Sequence, residues 1–150
     1  MATLNGQAAI PSTSLTAATL TYIATVTAPA NQRVKICGFH VGFNGTTNSN
    51  TPVLVEWGYA TSAGSGGTAI TPHAIEQDAA ETFQSTWTSF QSSAPSGPTI
   101  TNYRFVHPQL STEIYVPMGR EFIVKGGGFF FIAVNAPQSV NVAGFVDFEE

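Results

Sequence analysis

The fold of this chain is decided by one stretch near its C-terminal end, Gly128-Phe129-Phe130-Phe131-Ile132-Ala133-Val134. A short run of aromatic and β-branched residues, with glycines before it and Ala136-Pro137 after it, is typical of a β-strand. Side chains alternate between the two faces of a strand, so Phe129 and Phe131 would share one face and Phe130 and Ile132 the other. Because both faces are apolar, this strand needs a cover on each side.

Runs of the same type recur along the rest of the chain, between clusters of Gly, Pro, Asn and Ser. Helix-favouring Leu, Lys and Glu are scarce, so we expect β-structure throughout and at most one helical turn, over residues 74–81. The Gly126-Gly127-Gly128 triplet is expected to form a tight hairpin turn between Val124 and Phe129. The predicted strands cover residues 20–26, 33–43, 52–60, 82–90, 99–107, 112–116, 121–124, 128–135 and 139–148.

Short strands joined by connections of uneven length favour an all-β fold, an antiparallel β-sandwich that is jelly-roll-like. A chain of 150 residues fits a single domain, which we assign to residues 15–150. Residues 1–14 are mostly small and polar, with one proline. We expect them to form an extended N-terminal arm that is ordered only where something holds it.

Charged residues make up only 9% of the chain, whereas about a quarter of an ordinary soluble domain is charged. Such a surface suits a protein that is packed against copies of itself or within a larger assembly, because charge keeps free proteins apart. Of the five basic residues, only Arg33 and Lys35 lie close together in the sequence. Because nucleic-acid binding depends on clustered Lys and Arg, we expect no direct nucleic-acid partner. No run approaches the ~20 apolar residues that span a bilayer, so no membrane partner is expected.

Residues that could carry chemistry do not form a recognisable motif. His40, His73 and His107 are far apart in the sequence, and none has a second His or Cys at ligand spacing. The acids are few, and the cluster Glu76, Asp78 and Glu81 is most simply a solvated turn. We therefore expect a protein without enzymatic activity, cofactor or metal. A small jelly-roll enzyme remains an alternative if the fold brings His or acidic residues together.

The apolar second faces of several strands have two interpretations. One is that loops of the same chain cover them. The other, which the scarcity of charge favours, is that they pack against sister subunits, because interfaces are rich in aromatic residues and poor in Lys and Glu. The interface hypothesis names five aromatic residues: Phe129, Phe131, Tyr103, Phe105 and Phe145.

Two tryptophans offer a different function. Trp57 and Trp87 could stack on a sugar if they were exposed in a groove. On alternating strands, however, a lone Trp is more often part of the core. A carbohydrate-binding module therefore stays an alternative to the structural role.

Several short segments resemble small β-sandwich structural proteins of tailed bacteriophages, whose best-understood members are capsid decoration (cement) proteins. The resemblance covers nearly the whole chain after the arm. The segments are Ala28-Pro29-Ala30-Asn31-Gln32-Arg33-Val34-Lys35-Ile36, Val41-Gly42-Phe43-Asn44-Gly45-Thr46, Pro52-Val53, Val106-His107-Pro108-Gln109, Pro117-Met118-Gly119-Arg120-Glu121, and the ending from Ala136-Pro137 through Val140-Asn141-Val142 to Phe148-Glu149-Glu150.

The resemblance implies a jelly-roll subunit that forms a homotrimer on the outer capsid surface of the virion. Its partners would be its own copies and the major capsid protein, which it would clamp against internal DNA pressure. The N-terminal arm would then be a candidate for reaching a neighbour. The alternative within the same group of proteins is a carbohydrate-binding or adhesin-like module of a phage tail or fibre.

Overall fold

The computed structural model describes residues 3–45 and 51–150 of the chain. These residues form twelve β-strands, and no helix lies among them. The strands are β1 (Asn5–Ser14), β2 (Leu20–Thr27), β3 (Val34–Asn44), β4 (Val53–Ala60), β5 (Thr68–Ile70), β6 (His73–Ala74), β7 (Thr86–Ser89), β8 (Thr99–Val106), β9 (Ser111–Tyr115), β10 (Phe122–Val124), β11 (Phe129–Asn135) and β12 (Asn141–Glu149).

The strands form two antiparallel sheets whose order is that of a jelly roll. Sheet 1 runs β10-β3-β12-β1-β6, and β9 also pairs with β3; sheet 2 runs β5-β7-β2-β11-β4-β8. Leaving aside β5, β6 and β7, the chain alternates between the sheets from β1 to β4, and β11 and β12 return to the middle of sheets 2 and 1. The predicted all-β, jelly-roll-like antiparallel sandwich is therefore confirmed.

The segment expected to be an extended N-terminal arm, ordered only where something holds it, is held as a strand of the sandwich. From Asn5 to Ser14 it pairs with β12 along its length, and Gly6 and Gln7 also pair with β6. The register shifts between Ile10 and Thr13, which accommodates Pro11 at an irregularity of the ladder. Residues 1 and 2 of the predicted arm lie outside the described residues.

The structure decides two further local features, and at the second the prediction is wrong. Residues 74–81 contain no helical turn; they end β6 and continue through bends and a turn, in which Asp78 has a φ of +62° that a right-handed helix does not allow. The glycine triplet is not a hairpin turn, because β10 pairs with β3 in sheet 1 whereas β11 pairs with β2 and β4 in sheet 2. It carries the chain from one sheet to the other, with Gly127 at a φ of +69°.

The main core lies between the two sheets and is rich in aromatic rings. Phe148 of β12 packs against Trp87 with ring centroids 4.7 Å apart and against Phe83 at 4.8 Å. Phe39 of β3 meets Trp57 of β4 edge-on at 5.1 Å. Aliphatic residues from both sheets fill the space between these rings. Burial of this apolar area is the main source of the sandwich's stability.

Candidate interaction surfaces

The outer face of sheet 2 contains a second, smaller core. Phe131 is 0% exposed and packs with Tyr22 and Ala133, away from the main core; its ring meets that of Tyr22 edge-on at 5.3 Å. A loop residue of the same chain lies on this face: Gln91 Oε1 accepts a hydrogen bond of 3.1 Å from Thr25 Oγ1, and Thr25 is the register neighbour of Phe131. Phe131 is therefore an interior residue of the single chain, as the loop-cover interpretation holds.

The outer face of sheet 2 is open at its edge, on β8. Tyr103 is 61% exposed, Phe105 62% and Ile100 49%. Their register partners on β4 place all three on the outer side of the sheet, and the rings of Tyr103 and Phe105 meet edge-on at 6.2 Å. We call Ile100, Tyr103 and Phe105 the aromatic edge.

β8 is the strand at one edge of sheet 2, and most of its residues are exposed. Seven of its eight residues, Thr99 to Phe105, are exposed, and among the described strands β8 pairs only with β4. On the inner side, Arg104 Nη1 donates a hydrogen bond of 3.1 Å to Thr112 Oγ1 of β9. An eight-residue edge strand with exposed aromatic residues is a ready surface for association.

A buried carboxylate lies next to the aromatic edge. Glu56 of β4 is 9% exposed, and its register neighbours are Tyr103 on one side and Ala133 on the other. Burial raises the pKa of the Glu56 carboxyl, since removal from water disfavours its charged form. Within residues 3–45 and 51–150, no group donates a hydrogen bond to this carboxylate and no cation pairs with it.

The other two residues of the interface hypothesis are half-buried. Phe129 lies at the start of β11, also on the outer face of sheet 2, where Ala60 is its register neighbour. Phe145 lies on the outer face of sheet 1 and stacks on His40, with ring centroids 5.4 Å apart and 14° between the planes. The five predicted residues therefore do not form one surface.

A shallow concavity of about 650 Å³ lies beside the Phe145–His40 pair on sheet 1. Gly42 and Ala143 face each other across β3 and β12 within it, and their small size leaves the space open. Its lining also includes polar side chains: Ser12, Asn44, Gln109, Ser111 and Asn141.

The two tryptophans are in the core and present no face to a ligand. Each is 3% exposed. Trp57 packs against Phe39, while the indole Nε1 of Trp87 donates a hydrogen bond of 3.2 Å to Ser85 Oγ. The condition for sugar stacking, exposure in a groove, is not met at either position.

Chemistry-bearing residues stay apart in the part of the chain that the structure describes. No group of three or more His, Cys, Asp or Glu residues there is arranged to hold a metal ion. His107 Nδ1 accepts a hydrogen bond of 3.2 Å from the Gln109 backbone N–H, so it serves the local turn. Cys37 is partly buried, and desolvation, with smaller effects from nearby acids, raises the pKa of its thiol, which disfavours the reactive thiolate.

Among residues 3–45 and 51–150, no helix is long and apolar enough to cross a membrane.

Comparison with known proteins adds no family assignment. No family model matches the chain, and no curated protein matches it. A weakly similar solved structure is described as "Structure of infectious bursal disease virus Gx strain"; it is 14% identical, and the alignment covers 93% of this chain and 41% of that one. With a TM-score of 0.17, this likeness carries no argument about fold or function.

Glu56 is a candidate residue that the sequence analysis does not single out. A signal was present, because Glu56 lies between Val55 and Trp57 in a strand with few polar residues. The sequence does not reveal that Tyr103 lies opposite Glu56 in the sheet, because this depends on the register between β4 and β8.

Proposed function

We propose that this chain is a non-enzymatic structural protein that self-associates and binds the outside of a phage capsid, which it stabilises. One observation carries the proposal: β8 is an edge strand that presents Ile100, Tyr103 and Phe105 to solvent. Aromatic residues are enriched at the centres of protein interfaces, where they bury large areas with little loss of conformational freedom.

The composition of the surface supports the same role. Proteins that stay monomeric protect long edge strands with Lys, Pro or bulges. β8 contains no Lys or Pro, has Arg104 as its single basic residue, and has one irregularity in its pairing with β4, opposite Trp57 and Gly58. With 9% charged residues in the whole chain, copies can approach each other with little repulsion. Association of this kind weakens only slightly with salt, because little of it is electrostatic between exposed groups.

The capsid as the larger assembly rests on the resemblance to phage decoration proteins. That resemblance also implies the trimeric state and the location on the outer capsid surface. A jelly roll hosts many unrelated functions, so the fold alone is not the argument.

The test is the native mass of two matched variants by light scattering on a sizing column. Phe105→Ser removes one ring of the aromatic edge; Ile75→Ser removes an equally exposed apolar side chain (64%) just after β6, the edge strand of sheet 1. We expect the unmodified chain and Ile75→Ser to be oligomeric and Phe105→Ser to be monomeric. Equal masses for the two variants would contradict the assignment of β8 as the interface.

A carbohydrate-binding role is favoured by one specific observation, the concavity beside Phe145 and His40. Aromatic rings next to amide and hydroxyl side chains are suited to sugars. A glycan array read with the unmodified chain and with Phe145→Ala tests it: specific glycans lost in the variant would support this second role. Binding that Phe145→Ala leaves unchanged, or no binding at all, would exclude the concavity as a sugar site.

A further inference from the structure

One acidic group beside the aromatic edge has no ion pair or hydrogen bond among the described residues. Glu56 is more than nine-tenths buried, has no hydrogen-bond donor or cation among the described residues, and lies beside Tyr103 on the outer face of sheet 2. A buried carboxylate without a partner is costly, and a cation brought to it in an interface removes that cost. A positively charged group brought from outside the chain would be a suitable partner for this carboxylate.

The turn between β9 and β10 has the complementary chemistry. The backbone N–H of Arg120 donates to the Pro117 carbonyl oxygen at 2.9 Å, and Gly119 has a φ of +86°, which closes a tight β-turn. Met118 at its tip is 96% exposed. Arg120 is exposed and has no ion pair or side-chain hydrogen bond among the described residues.

The turn is also held in shape before any partner arrives. Glu121 Oε1 accepts a hydrogen bond of 2.8 Å from the Gly119 N–H. The Val116 N–H donates a hydrogen bond of 3.0 Å to the Cys37 carbonyl oxygen. A preformed turn loses little freedom on binding.

We propose that this turn of one copy docks on the outer face of sheet 2 of a second copy, with Arg120 paired to Glu56 and Met118 against the aromatic edge. This inference rests on the proposed self-association. The thioether of Met118 is suited to aromatic rings, and the guanidinium forms a planar fork that matches a carboxylate. Because the turn and the receiving face are different patches of the chain, the contact can repeat around a closed ring, as a trimer requires.

The other basic residues fit this role less well. Lys35 is already paired with Glu149 at 3.1 Å, and Arg104 is bonded to Thr112. Arg33 and Lys125 are exposed, but neither lies in a turn that carries a fully exposed apolar side chain at its tip. They serve as matched controls for the loss of one positive charge.

The test is a double-mutant cycle on the dissociation constant of the oligomer, measured by light scattering over a dilution series. Arg120→Gln and Glu56→Gln are each expected to raise the dissociation constant by about tenfold or more, because each leaves a partner unpaired. The dissociation constant of the double variant is expected to be no higher than that of the weaker-binding single variant, because the same interaction is lost in all three variants. Lys125→Gln and Arg33→Gln should leave the constant unchanged, and circular dichroism checks that every variant is folded.

Three results overturn the inference; the first two leave the proposed self-association in place, and the third overturns it as well. Additive effects of the two Gln substitutions would show that Arg120 and Glu56 are not partners. If Arg120→Gln and Lys125→Gln had equal dissociation constants while Phe105→Ser was still monomeric, the turn would not be part of the interface. The aromatic edge would remain the interface. A monomeric unmodified chain at every concentration would overturn both.

Discussion

Replacing Phe131 by Ala tests whether this residue belongs to the interior of the single chain and not to its association surface. Phe131 is 0% exposed and its ring lies 5.3 Å from that of Tyr22, so the change removes a fully buried ring and leaves a cavity. Substitutions of this kind lower the free energy of unfolding by about 3–5 kcal/mol. We expect a value near the lower end, about 3 kcal/mol, because the small cluster lies under loops that can partly collapse. For a domain of this size, that corresponds to a fall in Tm of roughly 6–12 °C.

The assay is thermal and urea unfolding of matched variants in a Phe105→Ser background, since association would itself add to the stability of the unmodified chain. Tyr103→Ala is the control: Tyr103 is also aromatic and also on the outer face of sheet 2, but it is 61% exposed. It should change the free energy of unfolding by no more than about 0.5 kcal/mol. Equal losses for Phe131→Ala and Tyr103→Ala would refute the division of this face into an interior part and an exposed part.

Three further changes test the account elsewhere. Gly6→Ala should destabilise the chain by about 1–3 kcal/mol in urea unfolding, because an added Cβ would lie 2.3 Å from Phe83 Cζ; an unchanged midpoint would contradict that packing. Glu150→Gln should lower the free energy of unfolding by about 1–2 kcal/mol at pH 7, because its carboxylate accepts hydrogen bonds from Ser85 Oγ at 2.6 Å and from backbone N–H groups; an unchanged free energy of unfolding would contradict the importance of those bonds. In the Phe105→Ser background, Glu56→Gln should raise the free energy of unfolding at pH 7. The pKa of Glu56 is raised from 4.5 by burial, so its stabilising contribution is fully present below pH 4.5 and is lost as the pH rises through the raised pKa. A gain in the variant that persists well below pH 4.5 would contradict this origin of the effect.

Much of the fold was predictable because the long strands carry strong local patterns. The runs in β2, β3, β4, β11 and β12 are long, rich in β-branched and aromatic residues, and bounded by turn residues, and the structure has a strand at each. The first strand was missed because its inward residues are as small as Gly6 and Ala8. Such residues give a weak apolar signal, and the cover they need comes from Phe83 and Phe148, which are distant in sequence.

The surfaces were less predictable because they depend on what the loops cover. Phe131 and Phe105 are the same residue type on the same face of sheet 2. One is enclosed, with Gln91 and Tyr22 nearby, while the other is open at the edge. Strand periodicity gives the face of a residue but not its distance from the sheet edge, which depends on strand order. The hairpin expected at Gly126-Gly127-Gly128 failed for the same reason, since local sequence does not say which sheet the next strand joins.

The most direct test of the central claim, that this chain works by associating through the aromatic edge of β8, is the native mass of the unmodified protein on dilution and in high salt. The account predicts an oligomer, a trimer if the resemblance to phage decoration proteins holds, whose mass survives both treatments. A monomer at all concentrations, or an oligomer that moderate salt dissociates, would contradict it.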